Sequence, residues 1–241
     1  MVKRKNARGR KNKMRKHAAI MSFHGDPNIG LYGVATDKFC LLGRNISKKQ
    51  VKTIKEVLDV PVIQIGLYGT DLVGLFAVAN SKVVLLPEII FKSELKKLKA
   101  ELTKLNVDVK LIKTEHTALG NNILLNDKIS IISSVYSNAK KKQIEKIIGV
   151  KLKKIKLSGL SIPGSIGVIT NKGGIFTPHL TDADIKKVEK LLGFEIGLGT
   201  VNLGNPFISS GIIANSNGFI VGDHSSGYEI GRIDESLGFL K

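Results

Sequence analysis

The chain carries a single cysteine, Cys40, no tryptophan, six prolines and only 5% aromatic residues in 241. One thiol excludes an intramolecular disulfide and suits a reducing, cytoplasmic setting. No apolar run approaches the roughly 20 residues that a membrane-spanning helix needs. The N-terminus is basic, yet no apolar stretch follows it, so a secretory leader is not expected. His24, His116, His179 and His224 fall near loops and lack the spacing of metal-ligand motifs such as HExxH. Neither a metal nor a cofactor is expected.

Acidic residues are the second shortage. Lys and Arg total 38 and Asp and Glu 20, for a net charge of +18. Residues 1–20 hold nine of the basic residues (Lys3, Arg4, Lys5, Arg8, Arg10, Lys11, Lys13, Arg15 and Lys16) and no acid, and the rest of the chain keeps a net +9. Without an apolar face, residues 1–19 are expected to be a disordered basic tail. Charge of this sign favours nucleic acid or another anionic surface through phosphate neutralisation and counterion release. A lysine-rich composition without such a partner is the plain alternative for the +9.

What the chain has in quantity is repetition. In TALGNNILLNDKISIIS, residues 117–133, two apolar runs flank Asn126-Asp127-Lys128. Asn and Asp tolerate the left-handed backbone of a tight turn, so the stretch reads as a β-hairpin. IGLYGVATDKFCLLG (29–43), VGLFAVANSKVVLLP (73–87), GSIGVITNKGGIFTP (164–178) and SSGIIANSNGFIVG (209–222) follow the same pattern. Gly30, Gly74, Gly120, Ser165 and Ser209 open the five hairpins, and six residues later Thr36, Asn80, Asn126, Asn171 and Asn215 stand at the turns. A period of this size marks a repeat architecture.

Amphipathic helices lie between the hairpins, with apolar residues at Val51, Ile54 and Leu58; Leu95, Leu98 and Leu102; Ile144, Ile147 and Ile148; Ile185, Val188 and Leu192; and Ile230, Ile233 and Leu237. Ser47 with Gln50, Thr181 with Asp184, and Ser226 with Glu229 have capping-box spacing. One further strand follows each of the first four helices: 60–65, 107–112, 150–157 and 194–201. After the fifth helix the chain ends, but the apolar stretch 20–23 stands free at the start. Pairing it with the last hairpin would close the ring and remove exposed edges. The expectation is an α/β (α+β) protein of five ββαβ units, strands inside and helices outside. Its single domain would run over residues 20–241, with repeats at about 29–72, 73–118, 119–163, 164–207 and 208–238.

With TALGN at 117–121, GSIGVITNKGG at 164–174, GTVNLG at 199–204 and GDHSSGYEIGRI at 222–233, the chain resembles the archaeal translation initiation factor 6 family from about Met21 to Gly238. That resemblance implies a pentein fold, a closed pseudo-fivefold β/α propeller without catalytic residues. It also implies binding to the joining face of the large (50S) ribosomal subunit, to ribosomal protein and ribosomal RNA beside the sarcin–ricin loop. Such a factor keeps the small subunit from docking and acts in late large-subunit biogenesis. It is expected to be a cytoplasmic monomer with no small-molecule substrate and no membrane partner. The hairpin-opening loops would face the ribosome: Gly30 and Leu31, Gly74 and Leu75, Gly120 and Asn121, Ser165 and Ile166, Ser209 and Ser210. Leu75 departs from the eukaryotic branch, which tends to have Arg there.

Two other functions compete with this one. Pentein folds also host guanidino-modifying enzymes, which need a Cys nucleophile with His and a carboxylate. Cys40 is the one candidate, but its expected repeat equivalents Val84, Ser130, Ile175 and Phe219 are mostly apolar, which favours a buried structural thiol. The cluster Asp223-His224-Ser225-Ser226 has no nucleophile-elbow GxSxG around it and reads as the start of helix five. Gly173-Gly174 reads as a hairpin turn ahead of a phosphate cradle. The third function is general RNA binding. For Asn121, the bland alternative to contact is a local bond within its own turn.

Overall fold

The computed structural model describes residues 16–240. The expected basic tail therefore lies, as far as residue 15, outside the described residues.

Among the described residues, fifteen strands form five separate three-stranded sheets. The first strand, β1 (Ala18–Met21), belongs with the last two, β14 (Ile212–Asn215) and β15 (Gly218–Gly222). The other sheets are β2 (Gly33–Ala35), β3 (Cys40–Leu42) and β4 (Val62–Gln64); β5 (Val78–Ala79), β6 (Val83–Pro87) and β7 (Asp108–Ile112); β8 (Ile123–Leu125), β9 (Ser130–Ile132) and β10 (Leu152–Lys154); and β11 (Gly167–Ile169), β12 (Gly174–Phe176) and β13 (Gly197–Leu198). In each, the second hairpin strand is central, antiparallel to the first and parallel to the third. The parallel partner needs a crossover, and a helix supplies it: α1 (Lys48–Leu58), α2 (Lys92–Thr103), α3 (Asn138–Ile148) and α4 (Asp182–Leu192), with α5 (Gly227–Ser236) after the last hairpin.

Each helix buries one stripe against its sheets. Ile54 and Leu58, Leu98 and Leu102, Ile144 and Ile148, Val188 and Leu192, and Ile233 and Leu237 all sit in the core. Burying such a side chain stabilises by about 1.5–3 kcal/mol relative to exposure. The expected caps form: Ser47, Thr181 and Ser226 accept from the backbone N–H three residues on, and so does Ser137. Only Ser226 and Glu229 make the full reciprocal box.

The residue three positions past the cap has a further task. Glu94 accepts from the N–H groups of Tyr68 and Gly69 at 2.8 and 2.9 Å, and Glu229 from those of Leu203 and Gly204 at 3.3 and 2.9 Å. Asp184 accepts from the N–H of Ser158 at 3.0 Å. Tyr68, Ser158 and Leu203 have positive φ, so these carboxylates hold turns that their own backbones disfavour.

Three details differ from the sequence reading. The fourth repeat shifts by one residue: the β11–β12 register pairs Ile169 with Gly174 and leaves Thr170, not Asn171, at the turn, where its N–H donates to the Gly173 carbonyl. The equivalent of Gly30 is then Gly164, that of Gly43 is Thr177, and that of Cys40 is Gly174. The bond from Thr177 N–H to Ile166 O agrees, matching Ser133 to Asn122 and Gly43 to Tyr32. Second, each hairpin is preceded by a four-residue helical turn: Ile29–Tyr32, Val73–Phe76, Leu119–Asn122, Pro163–Ile166 and Ile208–Gly211. Third, the N-terminal strand is Ala18–Met21, not 20–23, and residues 17–19 are not part of a free tail. The small Ala19 packs inward, Ile20 is 55% exposed, and Phe23 enters the core from a turn bridged to Asp26. The His17 carbonyl accepts from Phe219 N–H at 2.8 Å.

Candidate functional site

The five helical turns meet around one axis because glycine lets their backbones approach. A β-carbon at Gly74 would stand 2.1 Å from the Gly30 carbonyl oxygen, at Gly120 1.9 Å from that of Gly74, and at Gly164 1.9 Å from that of Gly120. At Gly30 it would stand 1.8 Å from the oxygen of Ser209, so the fifth repeat leads back to the first. At these four crossings only a residue without a side chain fits, while the fifth position is occupied by Ser209. Inside the ring is a cavity of about 120 Å³, lined among others by Gly30, Leu31, Gly74, Gly120, Asn121 and Ser209.

The residues after the crossing positions are Leu31, Leu75, Asn121, Ser165 and Ser210, of which Ser165 is buried and the other four are half-buried. Asn121 differs from its neighbours in one respect. Its backbone N–H donates to Ala118 O at 3.2 Å, but it is Asn122 whose side-chain amide bonds that same carbonyl, at 2.9 Å. The local role foreseen for Asn121 is thus taken by the next residue, and the half-buried Asn121 amide has no hydrogen bond to the described residues. Ser210 is committed internally, donating to Phe207 O at 2.8 Å and accepting from Asn205 at 3.1 Å. Ile166, foreseen as a contact, is 1% exposed and packs in the core with Ile169 and Phe176. The one-residue shift explains this: the residue that follows the crossing glycine is Ser165, which is itself buried. Leu75 is half-buried on its turn.

The opposite end of the axis is closed by its own hydrogen bonds. The buried side chains of Thr36, Asn80, Asn126, Thr170 and Asn215 each accept from two N–H groups of their turn. Next to them Ser81 donates its N–H and hydroxyl to Asp127 at 2.7 and 2.9 Å, and Asn171 donates to Asp127 at 2.7 Å and to Asp37 at 2.8 Å. Ser216 N–H donates to Asp37 at 2.8 Å. Nothing in the sequence pattern marks this collar, since its partners lie between 44 and 179 residues apart. One end of the axis is therefore saturated, and the other presents close-packed backbone with a free amide.

The enzymatic candidates are placed elsewhere. Cys40 is completely buried, and burial pushes its thiol up to about 12, so no thiolate is available near neutral pH. His24, His116, His179 and His224 are exposed and dispersed, and no cluster of metal-ligating side chains occurs among the described residues. Ser226 caps α5, as foreseen, and Gly173 is buried against Ser236 and Leu237, where no phosphate fits. No helix among the described residues is long and apolar enough to cross a membrane.

Five repeats, a glycine-crossed axis and a half-buried Asn121 can be set beside known proteins. The sequence model of the eIF-6 family matches residues 18–236. The chain belongs to the eIF-6 family. It is 34% identical to the translation initiation factor 6 of Pyrococcus horikoshii over 226 residues, covering 93% of this chain and 100% of the relative. It is 36% identical to that of Thermococcus onnurineus, covering 93% and 99%, and 36% identical to that of Staphylothermus marinus, covering 90% and 96%. Membership of the eIF-6 family agrees with the fivefold fold, and the relatives' name places the chain among translation factors.

Proposed function

We propose that this protein binds the large ribosomal subunit on its joining face, beside the sarcin–ricin loop, and keeps the small subunit from docking, also during late subunit maturation. The five helical turns form the contact, and residues 20–241 act in it as one domain, as a cytoplasmic monomer without catalysis. The observation that carries this reading is the free Asn121 amide at the open end of the axis, on a surface where glycine and serine backbone lies close beside Leu31 and Leu75. Such a surface lets a partner reach backbone amides closely. A body of roughly 40 to 50 Å, by compact-domain scaling, excludes a docking subunit by occupancy alone.

The test is co-sedimentation with purified large subunits, followed by addition of small subunits. The protein should travel with the large subunit and lower the yield of joined particles. Asn121→Ser should weaken this binding at unchanged melting temperature. Free subunit joining at saturating protein would refute the proposal, and unchanged co-sedimentation of the variant would remove Asn121 from the contact.

A further inference from the structure

Positive charge on the folded body is concentrated in one place. Residues 140–156 contain eight lysines and one glutamate, which is seven of the nine net positive charges of residues 21–241. Part of it is locally committed: Lys140 donates to Lys113 O at 2.7 Å, and Lys141 pairs with Glu145 at 3.4 Å. The lysines of β10 and the residues just after it are not. Lys153, Lys154 and Lys156 line a shallow groove of about 650 Å³ together with Lys187 and Lys190 of α4, over a floor of Ile155 and Leu191. No acidic residue lines it. Lys187 reaches Asp184 at 3.6 Å; the other four have no carboxylate partner among the described residues.

Lysines on an outer strand often serve only to block edge-to-edge pairing. The sister strands argue against that here. β4 and β13 occupy the same outer place in their sheets and carry no charge, and in β7 Lys110 is paired with Asp108 at 3.1 Å. Five lysines gathered where the third and fourth repeats meet, four of them without a carboxylate partner among the described residues, repel one another unless an anion lies between them.

We propose that the lysine groove between β10 and α4 binds the phosphate backbone of duplex RNA. Its chemistry distinguishes this partner from an acidic protein segment. Lysine ammonium groups bind phosphates as point charges, without a fixed geometry. The groove has no deep apolar pocket for an anchoring side chain, which a protein partner would use. It also has no aromatic residue on which an unpaired base could stack. What remains is a track for backbone contact without sequence readout. The groove lies on the outer side of the third and fourth repeats, away from the glycine-crossed axis, and its RNA binding does not depend on the subunit contact proposed above.

The experiment uses the full chain and a labelled RNA duplex of about 16 base pairs, long enough to offer successive grooves, titrated over a salt series. The triple variant Lys153→Gln, Lys156→Gln, Lys190→Gln is compared with Lys96→Gln, Lys97→Gln, Lys99→Gln, which removes equal charge from the exposed face of α2. The groove variant should lower the slope of log affinity against log salt by about 2 to 3, and the control by less than about half a unit. Equal losses in both variants would reduce the effect to general charge, and no loss in either would remove the groove from the contact. If polyglutamate displaces the RNA as well as unlabelled duplex does, and the same lysines are required, the partner is an acidic protein and the proposal is overturned.

Discussion

The side-chain amide of Asn215 donates to the carbonyl of Thr36 at 3.0 Å, joining the fifth hairpin turn to the first across 179 residues of chain. It also bonds Leu58 O at 2.9 Å, while its own oxygen accepts from Asn217 and Gly218. Asn215 is 2% exposed, so water cannot replace what is lost. Asn215→Ala should destabilise by roughly 2–4 kcal/mol, the sum of several unpaired buried groups at 1–3 kcal/mol each less relaxation. A shift of the urea midpoint at constant slope measures it; an unchanged midpoint would mean the turn holds without it.

Two glycines should respond to alanine with opposite signs. At Gly120 the new methyl meets backbone, 1.9 Å from Gly74 O and 3.1 Å from Leu75 O, and backbone on a closed ring cannot move aside. Gly120→Ala should cost about 3 kcal/mol or more. Gly231 lies inside α5 with nothing within 4 Å of an added carbon, so Gly231→Ala should stabilise by about 0.5–1 kcal/mol through helix propensity. Melting temperatures of the two variants, one falling and one rising, decide the matter.

Stability should decline in acid through Asp184 and Glu229. Burial alone would raise both carboxyls, but backbone and hydroxyl donors from Ser158 and Thr181, and from Ser226, Gly204 and Thr200, outweigh it and hold them below the usual range. A depressed folded value means the unfolded chain binds protons first. Their contribution is complete above the unfolded carboxyl values of about 4 and is lost as pH falls through the lower folded ones. Melting between neutral pH and about pH 3 should show this decline, and Glu229→Gln should flatten it. An equal slope in the variant would assign the acid sensitivity elsewhere.

Cys40 should be silent in the native protein. A thiol with no exposure and a value near 12 reacts only when the fold opens. Iodoacetamide at pH 8 should label it at the rate of unfolding, and urea should release the reaction. Rapid native labelling would reopen the nucleophile reading.

Much of this architecture is legible in the residues because the hairpin spacing and the helix stripes are local signals, repeated five times. The fourth repeat misled by one residue because Gly164 and Ser165 are both small, and Thr170 and Asn171 both suit a turn. Only the register of β11 against β12 separates them. The helical turns before the hairpins span four residues each, too short for a period to show. Asn121 and Asn122 are alike in sequence, and which amide stays free is decided by the backbone of their turn. The collar of Asp37, Asp127 and Asn171 depends on neighbours brought together by the ring itself.

The seam where β1 lies parallel to β15, with the His17 and Phe239 rings stacked 5.0 Å apart, puts the two ends of the folded body side by side. A short linker could join them, and new ends could be cut in any exposed connection between repeats. Such a circular permutant keeps every sheet, yet makes the β1–β15 pairing, the most distant in the natural chain, a nearest-neighbour one. The wheel has no structural beginning, and the position of its break governs the order of assembly.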